Sequence, residues 1–353
     1  MPDIIATTPA QELISSALVW DAHAGFAFET AENLAELARW REAGISFVSV
    51  NVCYDVQPWT TAVEALSKYR HWLRAHEDFV QVETINDVSR AKREGKLAVS
   101  FDLEGANALN EDPGMVDLYY RLGVRQMLFA YNRNNAVAGG CHDTDTGLTA
   151  LGRAVLKEMN RVGMLVDCSH CAYRTTLEVM DASEAPVIFS HSNARRLCDH
   201  ERNIWDDQIQ RCAARDGLVG VTGVGLFLGP NGADPAHVVE HIDHICQLVG
   251  PRHVGLGLDS VLLRNSESVL DLSAMGEVAL KFWPARQYPA GPIGFVPPEA
   301  LPAIVEGLLA RGYGADDVRA VLGGNFIRLA AEVWKPFGGL VGEGSLPTPG
   351  KPR

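Results

Sequence analysis

The stretch GMLVDCSHCAYRTTLEVMDASEAPVIFSHS (163–192) contains the repeating unit that decides the fold. Two short apolar runs, 163–170 and 185–192, flank an amphipathic segment at 172–182. Near-continuous apolar runs of this length are typical of strands covered on both faces in a parallel sheet, and a helix usually connects such strands. The stretch therefore predicts a strand–helix–strand unit in which a histidine lies at the end of each strand.

The same unit recurs along the chain. Further predicted strands are ALVWDAH (17–23), GISFVSVNV (44–52), LAVSFDLEG (97–105), VRQMLFAYN (124–132), GLVGVTGV (217–224) and HVGLGLDS (253–260). Further predicted helices include 30–42, 61–76, 147–161, 206–214 and 235–248, with two more near 299–312 and 315–335. Eight strands that alternate with helices predict an α/β protein with a TIM-type (β/α)8 barrel. An open doubly wound sheet shares the alternation, but it gathers its ligands at one switch point, whereas chemically capable side chains end strands throughout this chain.

The domain organisation predicted from this pattern is simple. Residues 1–335 are expected to form one barrel domain, and 336–353 are expected to be a C-terminal tail. A Pro-rich stretch at 282–302 follows the last predicted strand, and we expect it to cross the barrel mouth or form its rim.

Composition limits the classes of function. Lys and Arg number 31 against 44 Asp and Glu, a net charge of −13, which disfavours binding to nucleic acid. No apolar run reaches the length of a membrane span, and the N-terminus lacks the pattern of a secretory signal. The seven cysteines have no disulfide-framework spacing. We expect a soluble, reduced, cytoplasmic protein.

Three strand ends carry ligands suited to a metal ion, namely Glu104, His170 and His191. Barrel enzymes place their chemistry at the C-terminal ends of several strands, and a His2Glu set with an open position is a known catalytic zinc arrangement. Asp259 ends the eighth predicted strand, where a general acid or base could reach the activated water. These residues predict a metal-dependent hydrolase-like site.

The first strand offers one more ligand but lacks a second. Side chains alternate along a strand, so positions 23 and 25 share a face. His23 could bind a metal ion there, whereas Gly25 has no side chain to offer.

Two other features have open interpretations. Arg202 follows the sixth of the eight strands by a short loop, where it could bind a substrate carboxylate or form a surface ion pair. His237, His241 and His244 share one face of a predicted helix, and we expect them to be partly exposed residues rather than ligands.

Several strings, taken together and in order, resemble the renal (membrane) dipeptidase family of zinc hydrolases. They are LVWDAH, FDLEGANAL, LVDCSH, APVIFSHSNAR, HERNIWDD, VGLGLDS and GGNFIRLAAEVW, and they span about residues 18–335. The segment from Gly140 to His170 is most similar to the soluble bacterial branch. The resemblance implies a (β/α)8 barrel with two zinc ions bridged by a carboxylate, and cleavage of dipeptides, including those with a C-terminal D-residue.

The resemblance also implies roles for individual residues. Glu104 would be the bridging carboxylate, with His170 and His191 completing one metal site and His23 belonging to the other. Arg202 matches the residue that binds the substrate carboxylate, and Asp259 matches the acid that handles the catalytic proton.

Two departures from the family pattern affect these expectations. Gly25 stands where a metal-binding Asp is expected, so one zinc ion is expected and the second site loses a ligand. Tyr131 replaces a substrate-polarising His; its hydroxyl can still donate a hydrogen bond to an oxyanion. Asn132 and His142 are further candidates for contact with the substrate, and His142 is an alternative polarising group.

The predicted function is hydrolysis of a dipeptide by a zinc-activated water. Alternatives are a barrel amidohydrolase acting on a non-peptide amide or related acyl compound, and a catalytically inactive binding homologue. The expected partner is a small molecule with a free carboxylate, and family analogy suggests a homodimer.

Overall fold

The computed structural model of the protein describes residues 8–25, 31–262, 269–271, 277–289 and 291–336. The strands of these ranges are Trp20–Ala24 (β1), Phe47–Tyr54 (β2), Phe79–Gln81 (β3), Leu97–Glu104 (β4), Val124–Leu128 (β5), Leu165–Asp167 (β6), Val187–Phe189 (β7), Leu218–Val221 (β8), Val254–Leu256 (β9), Val269–Asp271 (β10) and Pro292–Gly294 (β11). The α-helices are Pro9–Ser16 (α1), Ala38–Glu42 (α2), Thr60–Ala75 (α3), Ile85–Arg93 (α4), Met115–Arg121 (α5), Ala150–Val162 (α6), Tyr173–Ala182 (α7), Asp206–Ala213 (α8), Gly225–Leu228 (α9), Pro235–Val249 (α10), Glu277–Leu280 (α11), Leu301–Ala310 (α12), Ala315–Arg319 (α13) and Asn325–Val333 (α14).

Eight strands close into a parallel barrel. The order around the ring is β1, β2, β4, β5, β6, β7, β8 and β9, and Asp21 of β1 pairs with Leu256 of β9 to close it. The short strand β3 pairs with the beginning of β4 and is not part of the closed ring. The predicted TIM-type (β/α)8 fold is confirmed, and each of the eight predicted strands supplies one strand of the ring.

The strands of the ring are shorter than predicted, most clearly β6, β7 and β9, and the difference at β6 and β7 moves two candidate ligands into loops. The ladders of β6 and β7 end at Asp167 and Phe189, so His170 and His191 lie three and two residues beyond them. His170 has a φ of 63°, a left-handed conformation that turns the chain out of the strand direction. The predicted strand 253–260 is ordered as β9 only at Val254–Leu256.

The helices agree with the predicted pattern where an apolar face is long. In place of the predicted helix 30–42, a 3-10 turn at Ala31–Leu37 leads into α2, and residue 30 lies outside the described residues. The short helices α4 and α5 were not predicted. In α4 the sequence INDVSRAKR buries only Val88 and Ala91, too few apolar positions to reveal a helical period.

The two ends of the barrel differ in polarity. At the N-terminal end an apolar plug closes the barrel, where Trp20 stacks on Phe47 with 3.5 Å between ring centroids and Phe326 of α14 lies behind it. Towards the C-terminal end the strands bury polar side chains, including Ser49, Asp102 and Glu104. This asymmetry places the candidate site at the C-terminal end.

The Pro-rich segment reaches the mouth of the barrel. Trp283, Tyr288 and Phe295 form a buried cluster there with Tyr54 and Tyr131, as expected for a rim segment. The predicted C-terminal tail lies outside the described residues except for its first residue. None of the helices in the described ranges is long and apolar enough to cross a membrane.

One buried histidine contradicts its prediction. The side chain of His241, on α10, is fully buried rather than partly exposed. Its Nδ1 accepts a hydrogen bond from the backbone N–H of Ala194 at 3.1 Å, and its Nε2 lies 3.1 Å from the carbonyl oxygen of Leu228. The two backbone groups satisfy both ring nitrogens of a neutral imidazole.

Candidate functional site

Two side chains from strands β1 and β4 and two from the loops that follow β6 and β7 meet at the C-terminal end of the barrel. The Oε1 atom of Glu104 lies 3.2 Å from Nε2 of His170, 3.3 Å from Nε2 of His191 and 3.6 Å from Nε2 of His23. The Nε2 atoms of His170 and His191 are 3.0 Å apart, and the ring of His23 stacks on that of His191. The structure therefore brings together all four predicted metal ligands, and the atoms of His23, Glu104 and His191 lie within 4.8 Å of one another.

Each histidine is held through its other ring nitrogen. Nδ1 of His23 lies 3.3 Å from both carboxylate oxygens of Asp102, and Nδ1 of His191 is 2.7 Å from Oγ of Ser190. Nδ1 of His170 donates to Oδ1 of Asn132 at 2.7 Å, while Nδ2 of that Asn132 donates to the carbonyl oxygen of Phe282. Such partners orient a metal-binding imidazole and leave its Nε2 turned towards the metal position.

The charges in the cluster favour a cation. Burial raises the pKa of Glu104 to about 8, so this carboxylate needs a positive partner to remain charged. Burial lowers the pKa of His23, but Asp102, Glu104 and Asp259 outweigh it and raise the pKa to about 10. Protons and metal ions compete for the same nitrogen, so the carboxylates that attract a proton to His23 also attract a metal ion.

The residues present fit a metal ion. The Nε2 atom of His23 is buried and has no hydrogen-bond partner among the described residues. Burial holds the pKa values of His170 and His191 well below the usual range, so both imidazoles are neutral. The two imidazole nitrogens and the carboxylate oxygen of His23, His191 and Glu104 lie within 4.8 Å of one another, and such donors are suited to zinc. The Nε2 atom of His170 lies beside them, 3.2 Å from Oε1 of Glu104.

Asp259 and Gly25 lie beside this cluster. Oδ1 of Asp259 is 3.5 Å from Nε2 of His23, and its side chain keeps 18% of its exposure. Burial raises the pKa of Asp259 to about 6. A Cβ atom placed on Gly25 would lie 3.6 Å from Oδ1 of Asp259, so this glycine faces the same space.

Tyr131 packs on one of the candidate ligands. Its ring centroid lies 4.3 Å from that of His170, and burial raises the pKa of its hydroxyl well above the usual value. The carboxylate of Asp55 accepts the backbone N–H of Tyr131 at 3.0 Å and that of Asn107 at 2.8 Å. Asp55 therefore fixes the turns that follow two neighbouring strands of the barrel.

Asn132 and His142, the two further candidates for contact with the substrate, do not line the cavity that Glu104, His170 and Asp259 line. Asn132 is fully buried and its amide is occupied by His170 and Phe282. Nδ1 of His142 is 2.9 Å from Oε2 of Glu201, and its Nε2 is 3.0 Å from the hydroxyl of Tyr288. These contacts give Asn132 and His142 positioning roles in the structure.

Arg202 lies beneath the histidine cluster. Its guanidinium donates to the carbonyl oxygen of His191 at 2.7 Å and to Oγ of Ser192 at 3.1 Å. Its Nε is buried and has no hydrogen-bond partner among the described residues. The side chain lines a cavity that lies next to the one above Glu104, and both cavities are lined by His170.

Sequence reasoning missed several residues that support the site. Asp102 precedes Glu104 by two positions on β4, so strand alternation places both side chains on the inner face. The two-residue spacing therefore predicts from sequence that Asp102 lies on the same side of the strand as Glu104. Trp283 and Tyr288 carry no comparable signal, since they lie in a segment without periodic pattern.

A TIM-type barrel with a His/Glu cluster at its C-terminal end defines a class of metal-dependent hydrolase-like folds. Within this class the chain belongs to the membrane dipeptidase family, peptidase family M19, whose family model matches residues 11–264. The resemblance found in the sequence motifs is thereby confirmed.

Individual relatives agree with this assignment. An uncharacterized dipeptidase of Schizosaccharomyces pombe is 37% identical over 195 residues, covering 52% of this chain and 46% of that protein. Dipeptidase aclJ of Aspergillus oryzae is 31% identical over 245 residues, covering 68% of this chain and 52% of that protein. The matches thus span about half the length of these curated relatives. The crystal structure of an amidohydrolase from Pseudomonas aeruginosa superposes with a TM-score of 0.80 at 27% identity, covering 92% of this chain and 99% of that one.

Proposed function

We propose that this protein is a zinc-dependent dipeptidase that hydrolyses the amide bond of dipeptides, including those with a C-terminal D-residue. The observation that carries the proposal is the approach of three histidine Nε2 atoms to Oε1 of Glu104. Membership of the membrane dipeptidase family supports the choice of substrate class.

The residues proposed to hold the zinc are Glu104, His170, His191 and His23. When bound in such a site, zinc polarises a carbonyl group and makes water a nucleophile at neutral pH. Asp102, Asn132 and Ser190 orient the three imidazoles through their Nδ1 atoms, so the ligands need little rearrangement.

Two further side chains are proposed to act on the substrate. Asp259 accepts a proton from the attacking water at its carboxylate and returns it to the leaving amine, which suits a carboxylate whose pKa burial has raised to about 6. Tyr131 donates a hydrogen bond from its hydroxyl group to the developing oxyanion, and the raised pKa of this hydroxyl keeps its proton in place at neutral pH.

Arg202 is the proposed anchor for the substrate carboxylate. A buried guanidinium retains its charge, and an Nε–H without a partner can still donate to an anion. The adjoining cavity lined by Arg202 and His170 would receive this carboxylate.

The proposal is tested by substituting His191→Ala. The matched control is His76→Ala, because His76 is an exposed histidine that directly follows the C-terminal end of α3. We expect His191→Ala to lose most of its zinc, measured by elemental mass spectrometry, and at least about 1,000-fold in kcat/KM towards dipeptides. Full activity and full metal content in this variant would refute the proposed site.

A second candidate substrate is a small non-peptide amide. Arg202 does not line the cavity above Glu104 among the described residues, so a substrate confined to that cavity would need no carboxylate. Hydrolysis of amides whose carboxylate is blocked, together with inactivity towards a dipeptide panel, would favour this candidate.

A further inference from the structure

A cavity lies directly above the proposed metal ligands. The space among its lining residues, counted together with the open solvent at its mouth, is about 500 Å³, and only a small part of it is enclosed. Its titratable lining groups from the metal cluster are Glu104, His170 and Asp259. The rest of the lining consists of apolar or aromatic residues, namely Tyr131, Val224, Phe227, Val261, Trp283, Tyr288, Ile293 and Phe295.

The aromatic side of this cavity is a packed surface. Trp283 meets Tyr131 edge-on, with 5.9 Å between ring centroids, and Tyr131 in turn lies against His170. Tyr54 stands behind both rings, at 5.4 Å from Tyr131 and 6.2 Å from Trp283. Such a packed wall offers a preformed apolar surface next to the reacting centre, so a ligand side chain need not reorganise it.

The hydroxyl group of Tyr288 forms a hydrogen bond with a residue that does not line the cavity. His142, which does not line the cavity, has Nδ1 against the carboxylate of Glu201 and Nε2 against this hydroxyl. A carboxylate only accepts hydrogen bonds, so Nδ1 of His142 carries the proton and its Nε2 accepts the Tyr288 O–H. The hydroxyl proton is therefore committed, and the aromatic ring is the part of Tyr288 that remains for the cavity.

The charges of the lining residues also favour an apolar ligand side chain over an acidic one. Among the described residues no lysine or arginine lines the cavity, while the carboxylates of Glu104 and Asp259 do. An acidic substrate side chain in this space would meet the carboxylates of Glu104 and Asp259 and, among the described lining residues, no lysine or arginine. A large apolar side chain would instead exchange water for aromatic surface.

We propose that this cavity selects dipeptides in which one side chain is large and apolar, and that Trp283 is the principal residue that determines this preference. The inference rests on the proposed dipeptidase function and adds the class of substrate. Full burial of an apolar side chain corresponds to roughly a 10- to 100-fold gain in kcat/KM over the alanine-containing dipeptide.

The test measures kcat/KM of the zinc-loaded enzyme for Ala-Ala, Phe-Ala, Ala-Phe, Asp-Ala and Ala-Asp. We expect one of the two phenylalanine dipeptides to exceed Ala-Ala by about 10-fold or more, and both aspartate dipeptides to fall below it. Trp283→Ala should lower the ratio of kcat/KM for the preferred phenylalanine dipeptide to kcat/KM for Ala-Ala by about 10-fold. Trp59→Ala is the matched control, because Trp59 lies outside the cavity and is 39% exposed.

A second variant protects the test against loss of folding. Trp283→Arg introduces a cation at the same wall, and we expect it to raise kcat/KM for an aspartate dipeptide relative to the phenylalanine dipeptide. The inference is overturned if the wild type hydrolyses all five dipeptides equally, or if both Trp283 variants leave the ratios unchanged. Absence of hydrolysis of every dipeptide by the wild type would instead refute the proposed function itself.

Discussion

Nδ1 of His23 lies 3.3 Å from both carboxylate oxygens of Asp102, and both side chains are fully buried. Oγ of Ser49 donates to the same carboxylate at 2.7 Å, which holds Asp102 in place. A buried carboxylate behind a metal-binding imidazole fixes the orientation of the ring and makes its other nitrogen a stronger ligand. Asp102 is therefore expected to act on the metal through His23.

This relationship predicts the effect of Asp102→Asn. The substitution keeps the shape of the side chain but removes its charge, so zinc affinity should fall about 10- to 100-fold. Titration against a competing chelator measures the change. Asp78→Asn is the control, because Asp78 is a surface carboxylate paired with Arg41 and 61% exposed. Equal affinities in the wild type and the Asp102→Asn variant would contradict the role given to Asp102.

Asp55 is predicted to be a major stabilising residue of the site. Its carboxylate accepts the backbone N–H groups of Asn107 and Tyr131 and the side-chain amide of Asn135. In Asp55→Asn an NH2 group replaces one acceptor and leaves a buried donor unpaired, which should reduce the free energy of unfolding by roughly 2 kcal/mol. Urea unfolding measures this loss.

The control for this prediction uses a carboxylate with a similar local bond on the surface. Asp112 accepts the backbone N–H of Gly114 at 2.8 Å, but it is exposed. Water can replace that bond, so Asp112→Asn should change the free energy of unfolding by less than about 0.5 kcal/mol. Similar losses in the two variants would show that the burial of Asp55 is not what matters.

Much of the fold could be predicted from sequence, and the reason is visible in particular segments. The run LAVSFDLE forms β4 with every residue buried, because a barrel strand covered on both faces needs apolar residues on its outer side and tolerates polar ones only inside. The strand ends were predicted too far along the chain at His170 and His191. The chain leaves the strand direction through the left-handed conformation of His170 after β6 and through loop contacts after β7, and neither is encoded by a periodic pattern.

The candidate site also contains residues that the sequence predicts and residues that it does not. Glu104, His170, His191 and His23 could be selected because ligand types at successive strand ends must meet at one end of a barrel. The cavity wall could not be predicted, since Trp283 contacts Tyr131 across about half of the chain and no local pattern encodes that contact. The Pro-rich segment packs inwards only where the folded barrel offers it a surface, so its local sequence does not show which of its residues are buried.

The buried histidine on α10 predicts a pH dependence of stability. Burial, with a smaller contribution from His244 and His237, lowers the pKa of His241 to about 4, although its hydrogen bond to the carbonyl oxygen of Leu228 opposes the change. The unfolded chain therefore binds a proton that the folded chain does not between pH 6.5 and pH 4. The contribution of His241 is complete above pH 6.5 and is lost as the pH falls towards 4, by up to about 3 kcal/mol.

A comparison of variants isolates this contribution. Unfolding free energies from urea titrations at pH 7.5 and pH 4.5 should differ less in His241→Gln than in the wild type. His71→Gln, which changes an exposed histidine on α3, should retain the wild-type difference. His142 and His200, whose pKa values burial also lowers to about 4, act in the same direction and set the remaining dependence. An unchanged difference in His241→Gln would show that His241 does not titrate in this range.

The absence of a side chain at position 25 predicts how much metal the protein binds. Gly25 faces Asp259, and its backbone is not in a left-handed conformation, so a larger residue is compatible with its φ. A new Cβ would approach Cγ1 of Val261 to 3.3 Å, a contact that a small shift of that side chain relieves. Gly25→Asp would add a carboxylate close to Asp259 and His23 and so supply the ligand that a second zinc site lacks.

We therefore expect about one zinc ion per chain in the wild type and about two in Gly25→Asp, measured by elemental mass spectrometry after dialysis. Without zinc, the added carboxylate lies close to Asp259 and Glu104, so like-charge repulsion should lower the melting temperature of Gly25→Asp below that of the wild type. Zinc should reverse this loss, because a cation that binds only the folded state stabilises it. Gly25→Asn, nearly the same in shape but uncharged, should stay at about one zinc ion and show little zinc-dependent recovery. Two zinc ions in the wild type, or equal zinc content in the Asp and Asn variants, would show that the carboxylate at this position does not determine the stoichiometry.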